Sequence, residues 1–344
     1  MQTFRCQCGH KLFFGSTSCL SCKETVGMCP TCRQVTALKS LGKDQWQCTN
    51  QVCGQKLKLC QNRIDYKACN CTVAIEEKEE PLCTYCRLNQ VIPDLSIEGN
   101  LLKWVRLEAA KRRVLYGVES VGLPIGDPSR NDFLPLMFEF KADDVEPVST
   151  GHAAGLITIN IQEADSVKRE QTRVEFGEPQ RTLVGHFRHE LGHYYWDMLV
   201  EPSKREAFRK LFGNEEDPTY ADAQTAYYAN GPLPNWQKSF ISEYATMHPW
   251  EDFAESFAAY LDMTSIVSTA QDFPRIYAEV PPDDFDARLK AYREIGVMAN
   301  EFNRDIGLLD LVPEVFTKPV VEKLRFMHDL KGIQAQSPDV SSSV

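Results

Sequence analysis

The chain has 344 residues, of which 43% are apolar and 25% charged, and its formal net charge is −10. This length permits a sizeable core and more than one domain. No run of about 18 apolar residues is present, which excludes a membrane-spanning helix. The first residues contain no apolar segment of the signal-peptide type, so we expect a cytoplasmic protein with reduced thiols and no membrane partner.

The cysteines divide the chain into two parts. All 13 lie between Cys6 and Cys86, and the 258 residues that follow have none. Residues 1–90 carry a net charge of +5, but three four-thiolate zinc sites would bring this to about −1. We therefore expect a cysteine-rich domain over residues 1–92 that does not favour nucleic acid, a second domain over 93–333 and a disordered tail over 334–344.

The cysteine spacing predicts tetrahedral zinc sites. One set, C-x-C followed by C-x-x-C, and another, C-P-x-C followed by C-x4-C-G, have zinc-ribbon spacing. These sets are Cys6, Cys8, Cys19 and Cys22, then Cys29, Cys32, Cys48 and Cys53. The remaining five, which provide one more site and a spare, are Cys60, Cys69, Cys71, Cys83 and Cys86. Spacing alone pairs Cys69 with Cys71. Disulfides and iron–sulfur ligation are the alternatives, and the absence of an export signal disfavours disulfides.

Strands followed mostly by helices are predicted in the second domain, which indicates an α+β fold. A helix begins near Leu101, and strands are predicted over 136–140 and 156–161. Further helices are predicted over about 181–200, 250–263, 287–303 and 313–330. We expect the strand over 156–161 to form a sheet edge to which an extended peptide can pair.

The predicted helix over 181–200 contains the motif H-E-x-x-H, formed by His189, Glu190 and His193. Histidines four residues apart share one helical face, so both can bind one metal ion. The glutamate between them is placed to act on a water molecule at that ion. The continuation typical of metzincins is excluded because Trp196 and Leu199 replace its glycine and histidine.

A catalytic zinc ion needs a third protein ligand. Glu251 and Glu255 lie four residues apart on the next predicted helix, so one can bind zinc and the other can accept a hydrogen bond from a ligand imidazole. The alternative is that both belong to a solvated acidic face. A histidine ligand is also considered, although His152 and His186 fit packing or cleft-lining positions better.

The segment from Tyr244 to Glu255 resembles the third-ligand helix of gluzincins of the anthrax lethal factor type, since Tyr244 precedes Glu251 by seven residues. This resemblance implies that Glu251 is the third zinc ligand. It also implies that Glu255 supports a ligand histidine and that Tyr244 donates a hydrogen bond to the oxyanion.

Most of the chain resembles a bacterial family of zinc-binding metallopeptidases with an N-terminal zinc ribbon. The matching segments are residues 150–158, 185–196 and 241–252. This chain has more cysteines than usual members, so the ribbon from Cys29 to Cys53 is an addition, and Cys71 stands where the family tends to have an aromatic residue. The resemblance therefore implies that the third site consists of Cys60, Cys69, Cys83 and Cys86.

The resemblance implies a zincin-like domain that is mostly helical with a small sheet, following a multi-zinc ribbon domain. One catalytic and about three structural zinc ions are expected, with a peptide or protein as substrate. Glu190 is the expected general base. The alternatives are a non-peptidase zinc hydrolase, an inactive descendant used for binding, and a ribbon module that binds a protein partner or nucleic acid.

Overall fold

The structure is a computed structural model, and it describes residues 2–77, 80–128, 133–143, 148–175, 182–200, 203–273, 280–313 and 315–331. The predicted tail over 334–344 lies outside these residues. The chain divides into two compact units. One comprises Met1–Leu115, Phe138–Thr150 and Thr158–Phe176, and the other comprises Tyr116–Met137, Gly151–Ile157 and Gly177–Val344. The domain boundary at residue 92 stays a prediction.

The cysteine-rich part of the first unit is built from short antiparallel strands. Strands β1 (Phe4–Arg5) and β2 (Lys11–Leu12) pair with each other. A second sheet has five strands in chain order, which are β3 (Val26–Met28), β4 (Val35–Gly42), β5 (Gln45–Cys48), β6 (Lys56–Leu59) and β7 (Thr72–Ala74). The short helix α1 (Gln61–Tyr66) joins β6 to β7. Leu38 and Leu57 pack with Cys29 and Cys48 in a small core.

Helix α2 (Asn100–Ser120) follows the cysteine-rich part and carries buried charged side chains. Lys111 donates a hydrogen bond of 2.7 Å to the carboxylate of Glu108. Arg112 donates a hydrogen bond to the carbonyl oxygen of Ala68, and its Nη1 lies 3.8 Å from Oε2 of Glu108. Cys86 Sγ also lies 3.8 Å from Glu108 Oε2. A buried charge without its partner is costly, so we expect that removal of any one of these charged side chains would destabilise the others.

A four-stranded sheet has the order β10-β11-β9-β8. Its strands are β8 (Asn89–Val91), β9 (Met137–Lys141), β10 (Gly151–Ala153) and β11 (Leu156–Asn160). The turn between β10 and β11 has positive φ at both Ala154 and Gly155, as tight hairpin turns require. The prediction that strand 156–161 is an edge was wrong, because β10 pairs along its outer side.

Helices make up most of the remaining described chain, as predicted for an α+β protein. They are α3 (Ser166–Glu175), α4 (Leu183–Tyr195), α5 (Arg205–Phe212), α6 (Tyr220–Asn230), α7 (Pro249–Gln271), α8 (Phe285–Asp305) and α9 (Lys318–Asp329). Helix α7 contacts α4, α5, α8 and α9 and buries the side chains of Phe253, Phe257 and Tyr260. It is therefore the central element of the second unit.

The helix predicted over 181–200 changes geometry part of the way along. Its α-helical part ends at Tyr195, and the chain continues as a π-helix over Trp196–Val200. Arg181 lies outside the described residues. Of the helices that the structure describes, none combines the length and the apolar composition that crossing a membrane requires.

Candidate metal centre

Helix α4 carries the two histidines of the sequence motif. Its first turn is capped by Thr182, whose hydroxyl accepts a hydrogen bond of 2.9 Å from the backbone N–H of Gly185. His189 and His193 follow one helical turn apart, and their Nε2 atoms lie 3.2 Å from each other. Glu190 lies between them and is only 8% exposed.

Helix α7 supplies a buried carboxylate from its first turn. His248 caps this helix, because its Nδ1 accepts a hydrogen bond of 3.2 Å from the backbone N–H of Trp250. Pro249 occupies the start of the helix, where the missing N–H costs nothing. Glu251 follows in the first turn and is 1% exposed. The positive end of the helix dipole favours a carboxylate at this position.

Helices α4 and α7 approach each other closely at Gly192. A Cβ atom on Gly192 would lie 2.6 Å from Cα and 3.1 Å from Cβ of Ala254. Such distances are shorter than van der Waals contact, so only glycine fits here without a shift. Because Gly192 is next to His193, this close packing sets the separation between the two histidines and Glu251.

The three side chains converge on one point. His189 Nε2 lies 3.0 Å from Glu251 Oε2, and His193 Nε2 lies 3.5 Å from Glu251 Oε1. A tetrahedral ion with bonds of about 2.0–2.1 Å separates its ligand atoms by about 3.3 Å. Glu251 Oε2 is buried without a hydrogen bond. Ligand spacing and an unsatisfied carboxylate oxygen both fit a divalent metal ion.

Two further side chains hold the converging groups in place. His189 Nδ1 lies 2.7 Å from Glu255 Oε1, an arrangement that leaves Nε2 of the same ring to face a metal. The hydroxyl of Tyr220 donates a hydrogen bond of 2.8 Å to Glu251 Oε1. Glu255 therefore orients the ring of His189, and Tyr220 holds the carboxylate of Glu251.

The electrostatics of the centre follow from its burial and its charge pairs. Burial raises the pKa of Glu251, but the adjacent imidazoles of His189 and His193 outweigh this effect, and the pKa lies well below its usual value. Burial lowers the pKa of His189, yet the neighbouring carboxylates Glu251 and Glu255 raise it above the usual value. The carboxylate of Glu251 is thus kept ionised, which is the form that can bind a metal ion.

Tyr244 lies beside the histidines, on a short 3₁₀ turn over Tyr244–Thr246. Its ring centroid is 6.0 Å from that of His189. Burial raises the pKa of Tyr244, and the negative charge of Glu251 raises it further. The phenol therefore keeps its proton at neutral pH and can donate a hydrogen bond.

His152 and His186 are outside the group of converging ligand atoms in the described chain. His152 stacks against His193 at 6.4 Å between centroids, and its Nδ1 lies 3.8 Å from a carboxylate oxygen of Asp197. Its Nε2 accepts a hydrogen bond from the backbone N–H of Gly155. Burial lowers the pKa of His152 to about 4, so this ring is neutral at pH 7. His186 is half-buried on α4.

The cysteine sulfurs form three clusters, and within each one all sulfurs lie within 4.8 Å of one another. Contacts of 3.6–3.8 Å join sulfur pairs in all three clusters. Four sulfurs about 2.3 Å from one zinc ion are separated by about 3.8 Å, and a disulfide needs about 2.05 Å. All 13 cysteines are free. The clusters are Cys6, Cys8, Cys19 and Cys22; Cys29, Cys32, Cys48 and Cys53; and Cys60, Cys69, Cys83 and Cys86.

Cys71 lies next to the third cluster without belonging to it. Its backbone N–H donates to the sulfur of Cys69 at 3.2 Å, and its side chain is buried. The structure thus groups Cys60 with Cys69, as the family resemblance implies and spacing alone does not. Which sulfurs bind zinc stays a prediction.

Tyr220 is the contact that the sequence reasoning missed. It begins helix α6, and Thr219 and Asp222 cap that helix through a hydrogen bond from the Asp222 N–H to the Thr219 hydroxyl. The pattern Thr-x-x-Asp is a capping signal and could have predicted the helix. Nothing in the pattern predicts that its first residue contacts Glu251, 31 positions later.

Comparison with known proteins finds two family models that match this chain. Residues 100–330 match a family model described as "Putative zinc-binding metallo-peptidase", and residues 3–97 match a zinc-ribbon domain. Uncharacterized proteins of Mycobacterium bovis and Mycobacterium tuberculosis are each 35% identical to this chain over 351 residues, covering 98% of it and 97% of their own length. No solved structure matches the chain significantly.

The fold and the metal centre define a zinc-binding protein with an N-terminal zinc ribbon. The chain belongs to the family of zinc-binding metallopeptidases. The resemblance to the bacterial metallopeptidase family with an N-terminal zinc ribbon is thereby confirmed, and zinc is supported as its metal by family and by ligand chemistry.

Proposed function

We propose that the protein is a gluzincin-like zinc peptidase, in which His189, His193 and Glu251 hold the catalytic zinc ion. The observation that carries this proposal is the convergence of these three side chains, with ligand atoms 3.0–3.5 Å apart. Two imidazoles and one carboxylate are the three protein ligands typical of hydrolytic zinc sites, which keep a fourth position for water or substrate.

His189, His193 and Glu251 would hold the zinc ion, which would supply a Lewis acid at the scissile carbonyl and at the attacking water. Glu190 takes a proton from the attacking water and delivers it to the leaving amine. Tyr244 donates a hydrogen bond to the oxygen on which negative charge develops. Glu255 orients His189 through the hydrogen bond to Nδ1.

The proposed substrate is a peptide or protein in extended conformation. Strand β10 is the outer strand beside β11 in the described sheet, and it contacts helix α4. An extended peptide that pairs with β10 would run alongside the helix that carries the two histidines. Strand β10 therefore takes the place of β11 as the proposed pairing site for the peptide, because β11 has a neighbouring strand on each side.

We also propose that each cysteine cluster holds one structural zinc ion, giving three in addition to the catalytic ion. A cytoplasmic location is part of the proposal, because free thiols persist in reducing compartments. The ribbon then stabilises the first unit and offers a surface for a protein partner.

The test is a peptide-library digest read by mass spectrometry, using the full-length zinc-loaded protein. We expect cleavage by the wild type and a loss of at least about 10³-fold in Glu190→Gln, because the proton acceptor is removed while both histidine ligands stay. Glu322→Gln is the matched control, since Glu322 is exposed on α9 and its ion pair in the described part of the chain is with Lys318. It should cleave at the wild-type rate.

Equal cleavage by wild type and Glu190→Gln would show that a contaminant is responsible. Absence of cleavage by the wild type, with zinc bound at the centre, would contradict a general peptidase. It would favour a non-peptidase zinc hydrolase, which the same library can test when extended with acylated and esterified substrates.

A further inference from the structure

We propose that Tyr220 is a positioning residue of the zinc centre, which acts through Glu251 by fixing how that carboxylate is presented to the metal. The inference rests on the proposed function only in taking Glu251 as a zinc ligand. Tyr220 lies on α6, outside the two helices that carry the ligands.

The two oxygens of Glu251 have different surroundings. Oε1 accepts the hydrogen bond of 2.8 Å from the Tyr220 hydroxyl. Oε2 lies 3.0 Å from His189 Nε2 and is buried without a hydrogen bond. When one carboxylate oxygen accepts a hydrogen bond, the lone pairs of the other oxygen stay free to bind a metal ion. This arrangement favours a single metal–oxygen bond.

Tyr220 is held in position before any ligand binds. The Thr219 cap fixes the start of α6. The Tyr220 ring packs against the rings of His248 and Trp250, with centroid distances of 5.2 and 6.0 Å. Both of these residues belong to the start of α7, next to Glu251. The hydroxyl is therefore directed at Glu251 by packing, with little side-chain freedom left to lose.

Tyr220 and Tyr244 have separate tasks in this arrangement. Their side chains interact with each other through a hydrogen bond, but only the Tyr220 hydroxyl donates to the carboxylate in the described structure. Because that proton is already engaged, Tyr220 is poorly placed to donate to a substrate oxygen. Its contribution is to zinc binding, whereas Tyr244, which does not donate to the carboxylate, is the residue that the proposed function assigns to the substrate oxygen.

The experiment compares zinc binding by full-length wild type and Tyr220→Phe, which removes only the hydroxyl. Zinc is withdrawn with a competing chelator, and the ions retained are counted by native mass spectrometry. We expect the zinc dissociation constant of the His189, His193 and Glu251 centre to rise by roughly 10- to 100-fold. The cysteine-bound zinc should stay unchanged. Tyr228→Phe, on the same helix and 63% exposed, should bind zinc like the wild type.

A second readout separates positioning from catalysis. If Tyr220 acts through the metal, peptidase activity of Tyr220→Phe should be restored by excess zinc, whereas a lost proton donor could not be replaced in this way. An unchanged dissociation constant for zinc would overturn the inference. Zinc binding does not require peptidase activity, so an inactive wild type would refute the proposed function and leave the role of Tyr220 testable.

Discussion

Tyr244 and Tyr220 lie beside the same carboxylate, and removing either hydroxyl should have a different consequence. We predict that Tyr244→Phe lowers kcat by roughly 10²–10³-fold, because the developing oxyanion loses a hydrogen-bond donor. Zinc binding should be nearly unchanged, since Tyr244 donates no hydrogen bond to Glu251 in the described structure. Steady-state kinetics at saturating zinc measure the effect.

The matched comparison is Tyr220→Phe, which should show the reverse pattern of weak zinc binding and recoverable activity. If Tyr244→Phe kept the wild-type kcat, Tyr244 would not serve as the oxyanion donor. If the loss of activity in Tyr244→Phe were recovered by zinc, the assignment of the two tyrosines would have to be exchanged.

At the scale of single residues, the sequence predicts those parts of the site that depend on local spacing. His189 and His193 are four positions apart in one helix, and Glu251 and Glu255 repeat that spacing, so helical geometry alone brings each pair to one face. Tyr220 depends on the packing of α6 beside α7, and no local pattern reports such a contact. The catalytic roles of these residues stay predictions.

Between elements, the critical contact is the crossing of α4 and α7 at Gly192. We predict that Gly192→Ala destabilises the protein by about 1–3 kcal/mol, because the added Cβ would lie 2.6 Å from the Cα of Ala254. The helices must move apart, which also widens the ligand triangle and weakens zinc binding at that centre. Thermal unfolding and zinc titration measure the two effects.

Gly117→Ala is the matched control, because Gly117 is also inside a helix but its Cβ would meet only the Ser265 hydroxyl at 3.9 Å. This variant should be neutral or more stable by up to about 1 kcal/mol, since alanine is the better helix former. If both variants behaved alike, helix propensity rather than helix–helix contact would explain the result.

The sequence predicts best the long helices, in which apolar residues recur at helical spacing. The predicted helix over 250–263 corresponds to α7, which runs on to Gln271, and the helix over 287–303 corresponds to α8. The prediction missed β10 because its three residues are too short for an alternating pattern. That omission caused the wrong expectation for the sheet edge, since a strand's status as edge or centre depends on its neighbours.

For the whole molecule, we predict four bound zinc ions, one for each group of converging ligands. Cys60→Ser should lose one ion and destabilise the first unit, because a structural zinc site contributes on the order of 10 kcal/mol to folding. Cys71→Ser is the control and should keep all four. Native mass spectrometry counts the ions directly. Loss of an ion in Cys71→Ser alone would assign Cys71 in place of Cys60.

The three cysteine clusters differ in how much of their sulfur faces solvent. In the first, Cys8 and Cys22 are exposed, in the second, Cys32 and Cys53 are half-buried, and in the third all four sulfurs are buried. A chelator must reach a sulfur–metal bond before it can remove the ion, so access decides the rate of removal. We consequently expect a chelator to remove zinc from the first cluster fastest and from the third cluster slowest. The third cluster, whose Cys86 lies beside Glu108 of helix α2, should therefore hold its zinc ion longest.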